Sequence, residues 1–243
     1  MASSARVASD PKRKKAAPPP PSNRSYLVIA ALAIVGAAVI GYLVLKPKDV
    51  SIPANVTVLE ADTAGFRGYI LGSENAPIEI SEYADFQCPA CASFAVLQFA
   101  VVKRQLIDSG LVRWRYRDFP IDQIHPHARV AAHAAACAND QGKYWEMHDL
   151  IYRDQAAWSR LRSAASYFED LAKQAGLDAG AYNQCMSEAK YAGRIEASVR
   201  EALQLGVGST PTFLINGRLY PQVLTSDSLA SLVRGLIAKP PTQ

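Results

Sequence analysis

The chain has 243 residues, 49% of them hydrophobic, and a formal net charge of +4, which suffices for one folded domain with a substantial core. Six basic side chains and one acidic side chain lie in the first 25 residues, so the rest of the chain has a net charge of −1. This balance excludes a basic nucleic-acid-binding face outside the tail. The four cysteines are too few for a small protein held together mainly by disulfides.

Residues 1–25 combine the basic charge with a run of four prolines, and such a composition cannot bury a core. They are predicted to form a disordered tail. Residues 26–45 (YLVIAALAIVGAAVIGYLVL) carry no charge, and at about 1.5 Å per residue a helix of this length spans the roughly 30 Å hydrocarbon core of a bilayer. A transmembrane anchor is therefore predicted at residues 26–45.

A cleaved signal peptide is the alternative interpretation of this segment. The apolar region of a signal peptide usually has about 7 to 15 residues and ends at a site of small residues, whereas here Lys46-Pro47-Lys48 follows directly. Because basic residues are retained on the cytoplasmic side, the KRKK run at residues 12–15 predicts a cytoplasmic N-terminus. The chain is then expected to cross the cell inner membrane once and to place its domain on the periplasmic or extracytoplasmic side.

Residues 46–68 are predicted to form a linker that holds the domain off the bilayer, with a short strand at residues 55–59. After it, residues 78–83 alternate between apolar and polar side chains and predict a strand, which leads through a turn into an apolar helical run at residues 93–106. The sequence LVRWRY at residues 111–116 predicts a second strand. Strand, helix and strand in this order predict a βαβ unit with parallel pairing.

Residues 127–205 are rich in alanine and amphipathic, which predicts a block of several helices. The chain returns to β character at residues 212–215 and again at residues 218–220, and Asn216-Gly217 between them is a strong hairpin signal. A final amphipathic helix is predicted at residues 226–238. The predicted order is therefore βαβ, a helical insert, and ββα.

The motif Cys88-Pro89-Ala90-Cys91 falls where the first predicted strand of this unit gives way to the helix. Unpaired amides and the helix dipole at a helix N-terminus favour a thiolate over a thiol, so Cys88 is the predicted nucleophile. The dipole supplies at most about 2 kcal/mol, and a larger effect needs hydrogen bonds from the amides of Ala90 and Cys91. Because a stable thiolate favours the reduced form, this arrangement predicts an oxidising pair in which Cys91 is the resolving thiol.

Two metal-binding alternatives carry less weight. A CXXC pair is half of a zinc site, but such a site needs a second closely spaced pair, and the remaining two cysteines are far apart in sequence. His125, His127 and His133 match no standard ligand spacing and are predicted to cap helices or pack. No metal site is predicted.

Three stretches together resemble the DsbA-like thioredoxin-fold oxidoreductases, especially the membrane-tethered bacterial ones: LGSENAPIEISEYADFQCPACASF, QGKYWEMHDLIY and LGVGSTPTFLINGR. The resemblance covers about residues 69–238. It implies an α/β thioredoxin fold at residues 69–240, with a helical insertion at about residues 121–205.

The resemblance also implies roles for particular residues. Pro211 matches the family's cis-proline, which would turn the backbone of Thr210 toward the sulfurs and let it pair with a substrate strand. Pro89 and Ala90 would complete this substrate surface. Glu82 matches an acidic residue that lies beneath the family's active site and relays protons to the resolving cysteine. From the sequence alone, Glu82 could equally face solvent, and Pro211 could be an ordinary trans proline.

A second, structural disulfide between Cys137 and Cys185 is also expected, since many members of the family carry one in the helical block. Two buried free thiols are the alternative. The resemblance implies no cofactor within the chain.

The expected function is that of an extracytoplasmic oxidase that forms disulfides in exported proteins with reduced cysteines. The resemblance implies a quinone-linked membrane partner of the DsbB or vitamin K epoxide reductase type that reoxidises it. A reductase or isomerase of the same fold remains open, as does a non-catalytic membrane-tethered chaperone or binding module.

Overall fold

The computed structural model describes residues 23–45 and 50–238. Helix α1 (Asn23–Leu45) is long and apolar enough, over Asn23–Tyr42, to cross a membrane. It begins three residues before the predicted anchor, and its side chains are exposed between residues 23 and 35, as those of a lipid-facing helix would be. The disordered tail predicted at residues 1–25 lies almost wholly outside the described residues.

The domain is built on a five-stranded sheet in the order β1-β3-β2-β4-β5. Strand β2 (Ile78–Ala84) lies at its centre, parallel to β3 (Val112–Asp118) and antiparallel to β4 (Thr212–Ile215). Strands β1 (Tyr69–Leu71) and β5 (Arg218–Tyr220) form the edges, each antiparallel to its neighbour. The predicted parallel pair and hairpin are both present, and together with the helices they make a thioredoxin-type α/β fold.

The hairpin between β4 and β5 turns at Asn216 and Gly217, whose φ angles are +48° and +77°. Two consecutive left-handed residues are what a tight two-residue turn requires, and Asn-Gly supplies them with little strain. The last helix, α11 (Ser226–Ala238), follows this hairpin and packs on the crossover helix.

The crossover between β2 and β3 differs from the single helix predicted at residues 93–106. Helix α3 (Pro89–Leu97) begins four residues earlier, because Pro89 suits the first helical turn. The path then bends by 44° into α4 (Phe99–Val102), which continues as a π-helical turn at Lys103–Ile107. At the bend the Gln98 side chain accepts a hydrogen bond from the amide of Ser226, 3.0 Å away, at the start of α11.

Six helices form the insert between β3 and β4. They are α5 (Ala128–Asn139), α6 (Tyr144–Arg153), α7 (Gln155–Trp158), α8 (Ala165–Gln174), α9 (Ala179–Ser187) and α10 (Ala192–Gln204). Almost every residue of α5 is buried, so its alanines allow neighbouring helices to approach closely. A disulfide joins Cys137 in α5 to Cys185 in α9 across 48 residues of chain.

Residues 50–66, which we call the docked segment, belong to the same folded unit as the domain. Ile52 is buried, the amide of Asn55 donates to the Glu196 carboxylate at 3.1 Å, and Arg200 donates to the carbonyl of Val56 at 2.8 Å. The strand predicted at residues 55–59 is wrong, because Asn55 has a φ of +54° and these backbone groups bond to side chains instead of to a neighbouring strand. A free linker is therefore not what most of this segment forms.

The docked segment also contains the short helix α2 (Glu60–Thr63), which lies against α10. A Cβ added at Gly193 would come within 2.1 Å of the Asp62 carboxylate, so the contact requires glycine there. Near the end of the docked segment, the Arg194 guanidinium lies over the Phe66 ring, with its Cζ 4.0 Å from the ring centroid. This is an attractive cation–π arrangement.

Candidate active site

Cys88 lies at the N-terminus of α3, immediately after the turn that ends β2. Its amide donates to the carbonyl of Asp85 at 3.0 Å, and the Asp85 side chain accepts from the amide of Gln87 at 2.7 Å. From the insert, the Gln155 side chain donates to the carbonyls of Phe86 and Cys88 at 2.7 and 3.0 Å. The turn that presents Cys88 is thus fixed by its own aspartate and by one helix of the insert.

The surroundings of Cys88 stabilise its thiolate. Its pKa is lowered to about 5, first by a hydrogen bond from the Cys91 thiol, against the opposing effect of burial. The Thr210 side chain and the amides of Cys91 and Ala90 also lower this pKa, and amides at a helix N-terminus favour negative charge there. At neutral pH Cys88 is therefore ionised.

Thr210 and Pro211 precede β4 and face this sulfur. The Thr210–Pro211 bond is cis, and the Cys88 sulfur lies 3.4 Å from the carbonyl oxygen of Thr210. Beside the sulfur, Pro89 is exposed and Ala90 is half-buried. The residues predicted to form a substrate surface thus lie around one sulfur atom, although their role in binding remains a prediction.

Cys91 lies one turn further along α3 and has no exposed surface. Burial, the hydrogen bond to Cys88 and the negative charge of that sulfur raise the pKa of the Cys91 thiol well above its ordinary value. The two sulfurs therefore differ sharply: Cys88 is the thiolate and Cys91 keeps its proton. Such a separation of pKa values is what the predicted roles of nucleophile and resolving thiol require.

Glu82 points into the core, not into solvent. The carboxyl accepts a hydrogen bond from the Trp114 indole at 3.2 Å, and burial raises its pKa to about 8. Its charge also contributes to the raised pKa of Cys91. Glu79, three residues earlier on β2, lies on the opposite face of the strand and pairs with Arg113. A protonated carboxyl near a buried thiol is suited to proton transfer.

Asp85 and His125 contact each other at this site, although no sequence pattern marked either as a functional residue. Asp85 is buried, and its Oδ2 accepts from the His125 ring at 2.7 Å. His125 lies in the loop after β3, where the sequence predicted only capping or packing. His127 donates its amide to Gln87 at 2.7 Å. Because these contacts join segments 40 residues apart, no local pattern could have revealed them.

Within the described residues, one group of three potential metal ligands comes together: His133, Cys137 and Cys185. The two cysteines form the disulfide, so neither offers the thiolate that a zinc ion would need. Burial lowers the pKa of His133 to about 4, and its Nε2 accepts from the amide of Tyr191 at 3.1 Å. His133 therefore acts as a neutral packing residue.

A family model described as Thioredoxin matches residues 67–234. Among solved structures, α-DsbA1 of Wolbachia pipientis has a TM-score of 0.64 at 23% identity, and the match covers 71% of this chain and 92% of that chain. BdbD of Bacillus subtilis has a TM-score of 0.64 at 18% identity, with 79% and 100% covered. These similarities show the fold.

Curated relatives include the Na⁺/H⁺ antiporter NhaA 3 of Salinispora tropica, which is 35% identical over 175 residues. A second is the Na⁺/H⁺ antiporter NhaA 1 of Salinispora arenicola, at 34% identity over 174 residues. Each match covers 71% of this chain but only 25% of the relative. The chain thus spans about a quarter of the length of these proteins.

Proposed function

Because the chain belongs to the thioredoxin family and has a DsbA-like fold, we propose that it is a protein thiol–disulfide oxidoreductase that oxidises thiols of exported proteins. The observation that carries the proposal is the pKa of about 5 at Cys88 beside a protonated, buried Cys91. At pH 7 a thiolate with this pKa stabilises the reduced pair by about 2.7 kcal/mol, which corresponds to about 60 mV. Such a pair accepts electrons readily.

The reaction begins with the Cys88–Cys91 disulfide. A client thiolate attacks the Cys88 sulfur, a client–Cys88 disulfide forms, and the bond to Cys91 breaks. The leaving Cys91 sulfur takes a proton, which the neighbouring Glu82 carboxyl supplies. A second client thiolate then attacks the client sulfur and releases Cys88 as a thiolate. The client loses two electrons and two protons; one proton restores Glu82 and the other passes to solvent, and the enzyme is left with a Cys88 thiolate and a Cys91 thiol.

Client polypeptides are proposed to bind along Thr210. The carbonyl of Thr210 lies 3.4 Å from the Cys88 sulfur, so an extended client that pairs with this backbone brings its cysteine to the reacting atom. The exposed Pro89 and half-buried Ala90 border the same sulfur and offer no bulky or charged obstacle. This surface therefore suits many sequences rather than one.

The proposed location is the extracytoplasmic side of the cell inner membrane. Support comes from the apolar helix α1 and from the basic run that precedes it in sequence. Reoxidation is proposed to come from a quinone-linked membrane protein of the DsbB or vitamin K epoxide reductase type. The antiporter activity of the curated relatives is not proposed for this chain, because the match covers only a quarter of their length. A match of 175 residues within a chain of 243 necessarily includes the CXXC motif at residues 88–91.

Glu82→Gln is expected to slow exchange about a hundredfold, because the amide cannot give a proton to Cys91 or take one from it. It should also change how stability depends on pH. Since the pKa of Glu82 is about 8 in the folded protein and about 4.5 when unfolded, wild type loses stability relative to the variant as pH rises between these values. From pH 4.5 to 7 the difference in unfolding free energy should grow by about 3 kcal/mol.

Stopped-flow kinetics and urea unfolding measure the two effects of Glu82→Gln. The matched control is Glu79→Gln, which changes the carboxylate on the opposite face of the same strand. An equal fall in rate for both variants would contradict the proton-transfer role of Glu82.

The proposed function is tested by trapping. In cells that produce the full chain with Cys91→Ala, the Cys88 thiolate can attack a disulfide of a client or of the recycling oxidase, so that the attacked S–S bond breaks as a bond to Cys88 forms. No resolving thiol is then present to release the adduct. We expect stable, reductant-sensitive adducts with exported proteins and with a membrane oxidase, identified by mass spectrometry. Adducts confined to cytoplasmic proteins would contradict the proposed side of the membrane. A redox potential below that of the cell envelope would instead indicate a reductase or isomerase.

A further inference from the structure

Within the CPAC motif, the groups that stabilise the Cys88 thiolate are all uncharged. Neither Pro89 nor Ala90 has a polar side chain, so within the motif the stabilising groups are amides and the Cys91 thiol. No cation lies between the two cysteines in sequence. Any positive charge that acts on the sulfur must therefore come from another part of the fold.

The loop after β3 brings His125 to this place. Its Nδ1 lies 2.7 Å from Asp85 Oδ2, which also accepts from the amide of Ile121 at 2.8 Å. The Asp85 side chain has no exposed surface, and the His125 side chain is 13% exposed. Since the carbonyl of Asp85 accepts from the Cys88 amide at 3.0 Å, a single aspartate connects the histidine to the nucleophile.

The hydrogen bond to Asp85 determines which nitrogen of the His125 ring is free for other contacts. A carboxylate accepts the proton on Nδ1, which leaves Nε2 as the second nitrogen and allows the ring to carry a full positive charge. The charged groups that act on His125 are Asp85 and Cys88. The next acidic residue, Asp122, is held by Arg129 at 2.7 Å, and His127 bonds to the carbonyl of Leu161 at 2.7 Å.

We propose that His125 is a positioning residue for the reduced enzyme, and that its imidazolium, held by Asp85, stabilises the Cys88 thiolate. Asp85 bonds to the ring through its side chain and to the Cys88 amide through its backbone carbonyl. This inference rests on the proposed function, because a further stabilisation of the Cys88 thiolate makes the pair a stronger oxidant.

The electrostatics of His125 support this assignment. Its pKa is raised above the ordinary value, chiefly by the hydrogen bond to Asp85, and also by the charges of Asp85 and Cys88, against a smaller opposing effect of burial. The coupling between two charged groups is reciprocal. If the Cys88 thiolate raises the pKa of His125, the histidine must lower the pKa of Cys88 by the same free energy.

The reciprocity gives a test that needs no variant. The chain has four histidines, so their ring signals can be titrated separately by NMR in the full chain in detergent. Reduction to the Cys88 thiolate should raise the pKa of His125 by at least about half a unit relative to the disulfide form. An equal pKa of His125 in the two forms would overturn the proposal.

A pair of variants tests the same coupling from the side of the sulfur. His125→Gln should raise the pKa of Cys88, followed by thiolate absorbance, by about one unit, and should make the equilibrium with glutathione about tenfold less oxidising, which corresponds to about 30 mV. His127→Gln, the same substitution two residues away, should change neither. A folded His125→Gln protein in which the pKa of Cys88 equals that of wild type would contradict the proposed role of His125.

The outcomes also separate this inference from the proposed function. A coupled His125 in a protein that traps no exported client would overturn the proposed function and leave the coupling intact. Client adducts without any coupling would overturn the role of His125 alone.

Discussion

Cys88→Ser is expected to lower the rate at which the oxidised protein forms disulfides in a reduced client by at least about a thousandfold. A hydroxyl cannot form the mixed disulfide through which every exchange step passes. The other sulfurs cannot replace it, because Cys91 has no exposed surface and Cys137 and Cys185 are bonded to each other. Oxidative refolding of a reduced protein, followed by regain of its enzymatic activity, measures the effect.

Cys91→Ser is the matched control for this experiment. Its Cys88 thiolate can still attack the disulfide of an oxidised client, so that the client's own S–S bond breaks as the bond to Cys88 forms, and without Cys91 this adduct should accumulate, whereas Cys88→Ser should give none. Adducts in the Cys88→Ser protein would show that another cysteine is the point of attack, and the assignment of the nucleophile would be wrong.

Removal of the second disulfide, by Cys137→Ala together with Cys185→Ala, is expected to destabilise the domain by about 4 kcal/mol. The bond closes 48 residues of chain, and the entropy lost by the unfolded chain on closing a loop of this size gives this magnitude. The midpoint of thermal unfolding should fall by roughly 10 °C for a domain of this size. Urea and thermal unfolding of the full chain in detergent measure both quantities.

This comparison is best made with Cys88→Ser and Cys91→Ser in both proteins, so that the active-site pair contributes equally to each. With the active-site cysteines intact, the paired alanine substitutions should leave the pKa of Cys88 within about 0.3 unit of wild type, because Cys137 and Cys185 do not contact the active-site turn. A loss of less than about 1 kcal/mol would contradict a bracing role for the bond.

Local patterns made the centre of the fold predictable. The alternation in β2, the apolar crossover helix and the Asn216-Gly217 turn each determine structure over a few residues, and all three are present. The position of Cys88 at a helix N-terminus followed from the same patterns. The places of Thr210 and Glu82 came from the family resemblance instead, since alternation alone left the direction of Glu82 open.

The features that sequence reasoning missed depend on contacts between distant segments. The bend at Gln98 accompanies a hydrogen bond to Ser226, and the role of Asp85 becomes visible only when His125 lies beside it. Strand β1 has three residues and pairs with β3 about 45 positions later, so it is too short for a pattern. In each case the partner is fixed by tertiary packing.

The docked segment changes where the stable unit begins. The family match starts at residue 67, yet Ile52 is buried and Asn55 and Val56 bond to α10. A water-soluble fragment cut at the homology boundary would leave Glu196 and Arg200 without these partners and would uncover apolar surface around α5 and α8. Truncation for crystallisation or spectroscopy should therefore retain the chain from Val50 onward, since the family model begins at residue 67 and the packed chain begins before it.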